Sequence, residues 1–382
     1  MSLRPSLLIL SFSPIARDAR VLKQARLFFE QYEVTTCGYG EQPDRVAGHI
    51  RIPDELVYWH KDRALLMQRR FAAVHRRNAV VDYLWDRLPR GHFDVVLADD
   101  VDTVPLALHL APRGGVHADL HEYAPREKED LLRWRMFVGP YMAWLCRKYV
   151  TQCSSVTTVG QGIADEYARV FGIPATVVTN AAPYVDLEPV EAGNPIRLVH
   201  SGNAMRARGL VELVDAVVRA RADVTLDLYL MPTERDLLDE LAARSAGSGR
   251  VTIHEPVPYA ELVGTLNQYD VGVHVLPPVN FNNKWALPNK VFDYVQARLG
   301  LLVGPSPEMA HMVREHGLGV VTEDFTTEAT IAAIEALTPE RVAAMKQAAH
   351  ASAHELSAET QVQGWERAID ALMAKARHSP AR

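Results

Sequence analysis

Two clusters of residue types able to do chemistry stand out in this chain. One is Pro288-Asn289-Lys290 followed by Asp293 and Tyr294; the other is His200-Ser201-Gly202 leading to Asn203, Arg206, Arg208 and Gly209. Arginine supplies a planar guanidinium fork and lysine a point charge, and both suit phosphate oxygens. Gly209 opens the helix-patterned run Leu210-Val211-Glu212-Leu213, and the free N–H groups of a helix start add to an anion site. Asp293 offers a carboxylate for hydroxyl hydrogen bonds. Together these groups suit a nucleotide-linked sugar, and the chemistry they suggest is glycosyl transfer. Blander roles exist for each: two arginines in a solvated surface turn, and a carboxylate that only complements the dipole of a helix first turn.

Both clusters must sit at strand ends to act. Short β-rich runs alternate with amphipathic stretches along the whole chain, the pattern of parallel sheets with crossover helices. Strands are predicted at 7–12, 33–38, 95–99, 115–120, 155–159 and 176–180, and again at 196–202, 224–230, 251–254, 271–276, 301–304 and 319–322. The helix predicted from Ala19 to Phe29 places Val21, Leu22, Ala25, Phe28 and Phe29 on one face. Pro183, Pro189, Gly193 and Pro195 interrupt the rhythm between the two series. The reading is therefore an α/β chain with a first Rossmann-like domain at 1–185, a linker at 186–195 and a second such domain at 196–355. A terminal helical segment at 356–382 carries Val362, Trp365, Ile369 and Leu372 on one stripe; it packs either back on the first domain or as a cap on its own. Such halves bind ligands beyond the carboxyl ends of their strands.

Composition excludes several classes. The chain has 382 residues, 48% hydrophobic and 23% charged, with a net charge of −6. That length favours two cores, and the negative charge argues against a nucleic-acid partner. Residues 1–185 carry 23 Lys+Arg against 21 Asp+Glu, and the rest carries 18 against 26. The slight basic excess of the first half is weak evidence for an acidic acceptor or an anionic surface. Three cysteines without a Cys-x-x-Cys pair suggest neither a disulfide framework nor zinc, and fit a reducing cytoplasm. Leu7-Leu8-Ile9-Leu10 is too short for a signal peptide. Arg133, Trp134, Arg135, Phe137, Tyr141, Trp144, Arg147 and Lys148 interleave cations and aromatics. This reads either as a core face with snorkelling edges or as weak peripheral contact with the inner face of a membrane. Nothing here sets the oligomeric state.

The order and spacing of these segments resemble the GT-B glycosyltransferases, specifically the large retaining family numbered four, over nearly the whole chain. The resemblance rests on Ala16-Arg17-Asp18-Ala19-Arg20, Asp119-Leu120-His121-Glu122, Val177-Val178-Thr179-Asn180, Ser201-Gly202 with Arg208-Gly209, and Pro288-Asn289-Lys290 with Asp293-Tyr294. It implies two facing Rossmann-like domains with a deep cleft between them, an NDP-sugar donor as co-substrate in the second domain, and no resident cofactor. The acceptor, in the first domain, would be a glycan, a lipid-linked intermediate or a small natural product, as in polysaccharide biosynthesis. It implies His121, Arg208 and Lys290 as catalytic groups. Ser201, Gly202, Asn203, Arg206, Gly209, Asn282, Asn283, Pro288, Asn289, Asp293 and Tyr294 would lie on the donor side. Arg17, Asp18, Asp100, Glu122 and Asn180 would lie on the acceptor side. The chain departs from the family at Asp293, where Glu is usual, and at Asn203, where Arg is common. It also departs at Asn280–Trp285, which lacks the usual carboxylate and leaves Asn282 and Asn283 to meet sugar hydroxyls as amides.

Asp100-Val101-Asp102 mimics an Asp-x-Asp metal motif. The cations already named would neutralise a diphosphate, so no metal is expected; a helix N-cap at Asp102 or Thr103 is the alternative. A nicotinamide dehydrogenase is disfavoured because Ser11-Phe12-Ser13-Pro14-Ile15-Ala16 contains no Gly-x-Gly-x-x-Gly. A nucleotide-sugar 2-epimerase, which would need no acceptor, and a non-catalytic sugar- or partner-binding descendant remain as rivals.

Overall fold

The computed structural model describes residues 4–378. It forms two compact units, each built on a wholly parallel sheet. The first sheet has the order β3-β2-β1-β4-β5-β6-β7, with β1 (Ser6–Pro14), β2 (Glu33–Tyr39), β3 (Gly48–Ile52), β4 (Val95–Asp99), β5 (Gly115–Leu120), β6 (Ser155–Thr158) and β7 (Thr176–Val177). The second has the order β10-β9-β8-β11-β12-β13, with β8 (Ile196–Asn203), β9 (Val224–Met231), β10 (Val251–His254), β11 (Val271–His274), β12 (Gly300–Val303) and β13 (Gly319–Val321).

Each order reverses once, between β1 and β4 in one sheet and between β8 and β11 in the other. A doubly wound sheet opens a ligand crevice at that point, because the loops leaving the two central strands diverge to opposite faces. Register places the chemistry there. Leu7 of β1 pairs with Val95 of β4, and Asp99 of β4 with Asp119 of β5. Leu198 of β8 pairs with Val271 of β11.

The central strands are continuous apolar runs because both of their faces are covered. Leu7, Leu8, Ile9 and Leu10 are fully buried. In the helix Ala19–Phe28, the core face is Val21, Ala25 and Phe28, with Arg20 and Gln24 buried beside them. Leu22 and Phe29, expected on that face, instead help line a cavity of about 650 Å³ with Ala16, Arg26 and Arg45. β3 escaped the sequence reading because Gly48-His49-Ile50-Arg51-Ile52 is a half-exposed edge strand with little apolar patterning.

The first unit comprises residues up to Val178, Asn280–Asn282 and residues from Val362 onward; the second comprises Thr179–Val279 and Asn283–Gln361. Residues 179–195 run without helix or strand. The terminal helix Gln363–His378 lies against β4, β5 and β6. Its Trp365, Ile369 and Leu372 join Leu7, Ile9 and Val21 in one core cluster. Trp365 is fully buried, with the Arg20 guanidinium 4.5 Å from its ring centroid. Trp365→Ala should therefore cost the first unit about 3–5 kcal/mol, the usual loss for a large aromatic in a core. A denaturant midpoint for that unit within error of wild type would contradict this packing.

Candidate functional site

In the second unit, the end of β8 and the start of the helix Asn289–Gln296 meet. Pro288 caps that helix in an extended conformation, so Lys290 falls in the first turn and its side chain is 8% exposed. Lys290 Nζ has no hydrogen-bond partner. Gly202 makes room for it: its φ is +139°, and a Cβ there would stand 2.8 Å from Nζ. Burial and the nearby Arg208 guanidinium together bring the ammonium down to about 7, with Asp293 opposing both. A desolvated cation without a partner is costly. The natural partner for such a group is an anion that arrives from solution.

Arg208 lies beside it at the end of the short 3-10 turn Arg206–Arg208, partly withdrawn from water. Gly209, at φ +69°, then turns the chain into the helix Leu210–Arg219; a Cβ there would press within 2.9 Å of the Val275 carbonyl. The turn sends the two arginines to different places. Arg206 is exposed and bonds Asp236 at 2.8 Å and also Glu240, with Glu234 at 3.9 Å. Its donors engage a surface acidic cluster.

Other expected donor residues divide in the same way. Asp293 is one turn inside its helix and 3% exposed, not in the first turn as the dipole alternative requires, and it accepts from the Tyr259 hydroxyl at 3.3 Å. Tyr294 is fully buried in the core, and its hydroxyl accepts the Ser201 N–H at 3.4 Å; this is a packing role. Ser201 is buried and Asn203 half-buried on β8, while Pro288 and Asn283 are half-buried and Asn289 is exposed. Asn282 belongs to the first unit. Its amide donates to Glu122 at 3.0 Å and its carbonyl accepts from the Tyr123 N–H at 2.9 Å.

Two histidines complete this surrounding. His200 on β8 donates through Nδ1 to the Val273 carbonyl, 2.8 Å away. His274 ends β11 and has neither ring nitrogen partnered, and the His200 Nε2 is also unpartnered. Their ring centroids are 5.8 Å apart. Burial holds both imidazoles well below the usual histidine range, and Lys290 reinforces it.

The first unit gathers acids instead. Arg20, buried, makes a two-pronged ion pair with Asp119, Nε to Oδ2 at 2.6 Å and a terminal nitrogen to Oδ1 at 2.7 Å. It also donates to the Val178 carbonyl at 3.0 Å. Gln24, one helical turn on, donates to Asp99 and Asp119, each at 2.8 Å. Thr157 adds a 2.7 Å bond to Asp119. His121 Nε2 stands 3.4 Å from Asp99 and 3.6 Å from Asp119, with Nδ1 3.6 Å from Asp100.

Electrostatics then separates the acids. Burial raises the Asp119 carboxyl, but Arg20 and His121 outweigh it and hold it well below the usual range. For Asp99, burial wins and pushes it up to about 7. Burial opposes charge on His121 too, yet Asp100, Asp119 and Asp99 together keep its imidazole well above the ordinary value. His121 is thus a charged hydrogen-bond donor that retains 22% exposure.

Asp99, Asp119 and His121 have ligand atoms close enough to hold a divalent ion. The donors from Arg20, Gln24 and Thr157 already occupy both oxygens of Asp119, which fits an internal cation better than a metal. Asp102 faces Lys61 at 3.7 Å, so Asp100 and Asp102 do not act as a pair. Thr103 is the N-cap of the following helix Val104–His109. Asp18 caps the helix Ala19–Phe28 through the Arg20 and Val21 N–H groups. Arg17 is exposed. Asn180 lies beyond β7, which ends at Val177, and belongs to the second unit rather than the first. In the aromatic stretch, Tyr141 is buried, Trp144 half-buried and Leu132 exposed. No helix among the described residues is long and apolar enough to cross a membrane.

Sequence reasoning missed Gln24, Asp99 and His274. The available signals were the Arg20–Gln24 spacing of one helical turn and the placement of Asp99 and His274 at strand ends.

No family model and no curated protein matches the chain. Solved structures do. The α,α-trehalose-6-phosphate synthase of Burkholderia multivorans superposes with a TM-score of 0.69 at 13% identity, covering 98% of this chain and 99% of that one. Sucrose-phosphate synthase of Thermosynechococcus elongatus gives 0.67 at 12%, covering 97% and 100%. HepE of Anabaena, solved with UDP and glucose, gives 0.66 at 13%, covering 96% and 99%. The fold is that of the GT-B glycosyltransferases, two parallel-sheet Rossmann-like halves.

The acid network yields a stability prediction. A carboxylate depressed on folding contributes stability that is present above its unfolded value and lost as pH falls through the folded one. Asp119→Asn should cost about 3 kcal/mol near pH 8, since it strands the buried Arg20 charge. Asp99→Asn should change stability by about 1 kcal/mol or less there, because ionised Asp99 is itself strained by burial. Equal losses in urea titrations of the two variants would contradict the assignment.

Proposed function

We propose that this protein is a glycosyltransferase that moves a sugar from a nucleoside-diphosphate sugar to an acceptor hydroxyl. The observation that carries the reading is Lys290: a buried, unpartnered ammonium over Gly202, beside Arg208, at the strand-order reversal of the second unit. The GT-B likeness supports it, and the UDP bound to HepE favours a uridine donor.

Negative charge grows on the β-phosphate oxygen as the bond from the anomeric carbon breaks. Fixed cations aimed at that oxygen lower the barrier, because their orientation is already set before charge develops. Lys290 and Arg208 would supply this together with the free N–H groups beginning Leu210–Arg219. The same charges make a metal unnecessary.

In a retaining, same-face displacement, the acceptor oxygen bonds to the anomeric carbon while the phosphate oxygen departs, and the acceptor's hydroxyl proton passes to that phosphate. No protein base is then needed. A protonated His121 fits this scheme as a donor to a sugar hydroxyl, held by Asp99, Asp100 and Asp119. The first unit would receive the acceptor, a glycan, lipid-linked intermediate or small natural product, and a cytoplasmic setting in polysaccharide assembly follows from that chemistry.

Lys290→Ala and Arg208→Ala should each cut sugar transfer from UDP-glucose or a related donor by ~100-fold or more, the scale of losing a transition-state charge contact. A chelator should leave the wild-type rate unchanged. Near-wild-type transfer by both variants would overturn the reading. Turnover of the donor without an acceptor and without diphosphate release would point to an epimerase instead.

A further inference from the structure

Lys290 faces an unusual set of neighbours. From β8 comes His200, from β11 His274, from the Arg206–Arg208 turn Arg208, and from its own helix Asp293. Three of these four are nitrogen bases or cations, and the single acid accepts from Tyr259. Lys290 Nζ makes no hydrogen bond, and three of the four histidine ring nitrogens are equally without one. Asp293 is therefore the one neighbour among these four that favours a proton on Nζ, and it makes no hydrogen bond to it.

Building on the donor reading above, we propose that diphosphate binding to the second unit is proton-coupled, with Lys290 taking up one proton from solvent as the anion arrives. His200 and His274 act as tuning residues. They remain neutral and fill the walls with groups that give the empty-site lysine no counter-charge.

The physical chain is short. Burial beside Arg208 brings the free ammonium to about 7, so above neutrality the empty site holds mainly the amine. A diphosphate supplies the missing opposite charge and restores the proton. The sign follows from linkage. Below about pH 7, Lys290 is charged in both free and bound protein, and affinity is level with pH. Above it, one proton enters with each ligand, and affinity falls about tenfold per pH unit. A secondary phosphate titrates near 6, so UDP itself is fully ionised at pH 8 and does not mask the effect.

The test is calorimetric titration of the full chain with UDP near pH 8, in Tris and in HEPES, whose ionisation enthalpies differ. The observed heat should shift between buffers by about one proton's worth, with uptake into the protein. Lys290→Arg keeps a charge that cannot be removed. It should still bind UDP, with buffer-independent heat and affinity level from about pH 7 to 9. Wild-type binding without any buffer dependence would overturn the proton coupling while leaving the donor site standing. Full uptake retained by Lys290→Arg would overturn Lys290 as the acceptor. Absence of UDP, ADP and GDP binding would overturn the donor reading and this proposal with it.

Discussion

A lysine nitrogen kept out of water without a hydrogen-bond partner is the constraint around which the second unit is arranged. Gly202 has no side chain, so Lys290 Nζ fits over the end of β8. Pro288 caps the helix that begins at Asn289, and this sets Lys290 in its first turn. Tyr294 anchors the same helix in the core and holds the Ser201 N–H. Each feature is a packing solution, and their joint outcome is an electrostatic one. The fold keeps a group ready for an anion it does not itself contain.

The first unit treats buried charge in the opposite way. Arg20 sits on the helix after β1, Asp119 ends β5, and Gln24 ties Asp119 to Asp99. This network closes on itself, with Trp365 of the terminal helix as its lid. His121 is the member that keeps some exposure, and the acids around it fix its charge. One unit is self-neutralised and presents a hydrogen-bond donor; the other lacks an anion. The proposed division between acceptor handling and donor handling draws on that asymmetry.

Much of this was legible in the chain. The alternating runs identified twelve of the thirteen strands, because central strands of a doubly covered sheet are apolar throughout. Arg208 and Gly209 were readable because they follow β8 within a few residues, and Lys290 because Pro288 marks the helix start beside it. Arg208 was preferred to Arg206 for its place directly before Gly209, but the ion pairs of Arg206 with Asp236 and Glu240 depend on the geometry of the 3-10 turn and on a distant helix. The Arg20–Asp119 pair spans 99 residues and the Asn282–Glu122 bond spans 160. Pairings at such separations depend on tertiary register, which local patterning does not encode. Asp99 was hidden beside the more conspicuous Asp100 and Asp102, although it ends β4, which is buried along its whole length.

The most direct measurement is a crystal structure of the chain grown with UDP. Diphosphate oxygens should lie within hydrogen-bond distance of Lys290 Nζ and the Arg208 guanidinium, with Arg206 still engaged by Asp236 and Glu240. UDP bound elsewhere, with Lys290 Nζ still unpartnered over Gly202, would contradict it.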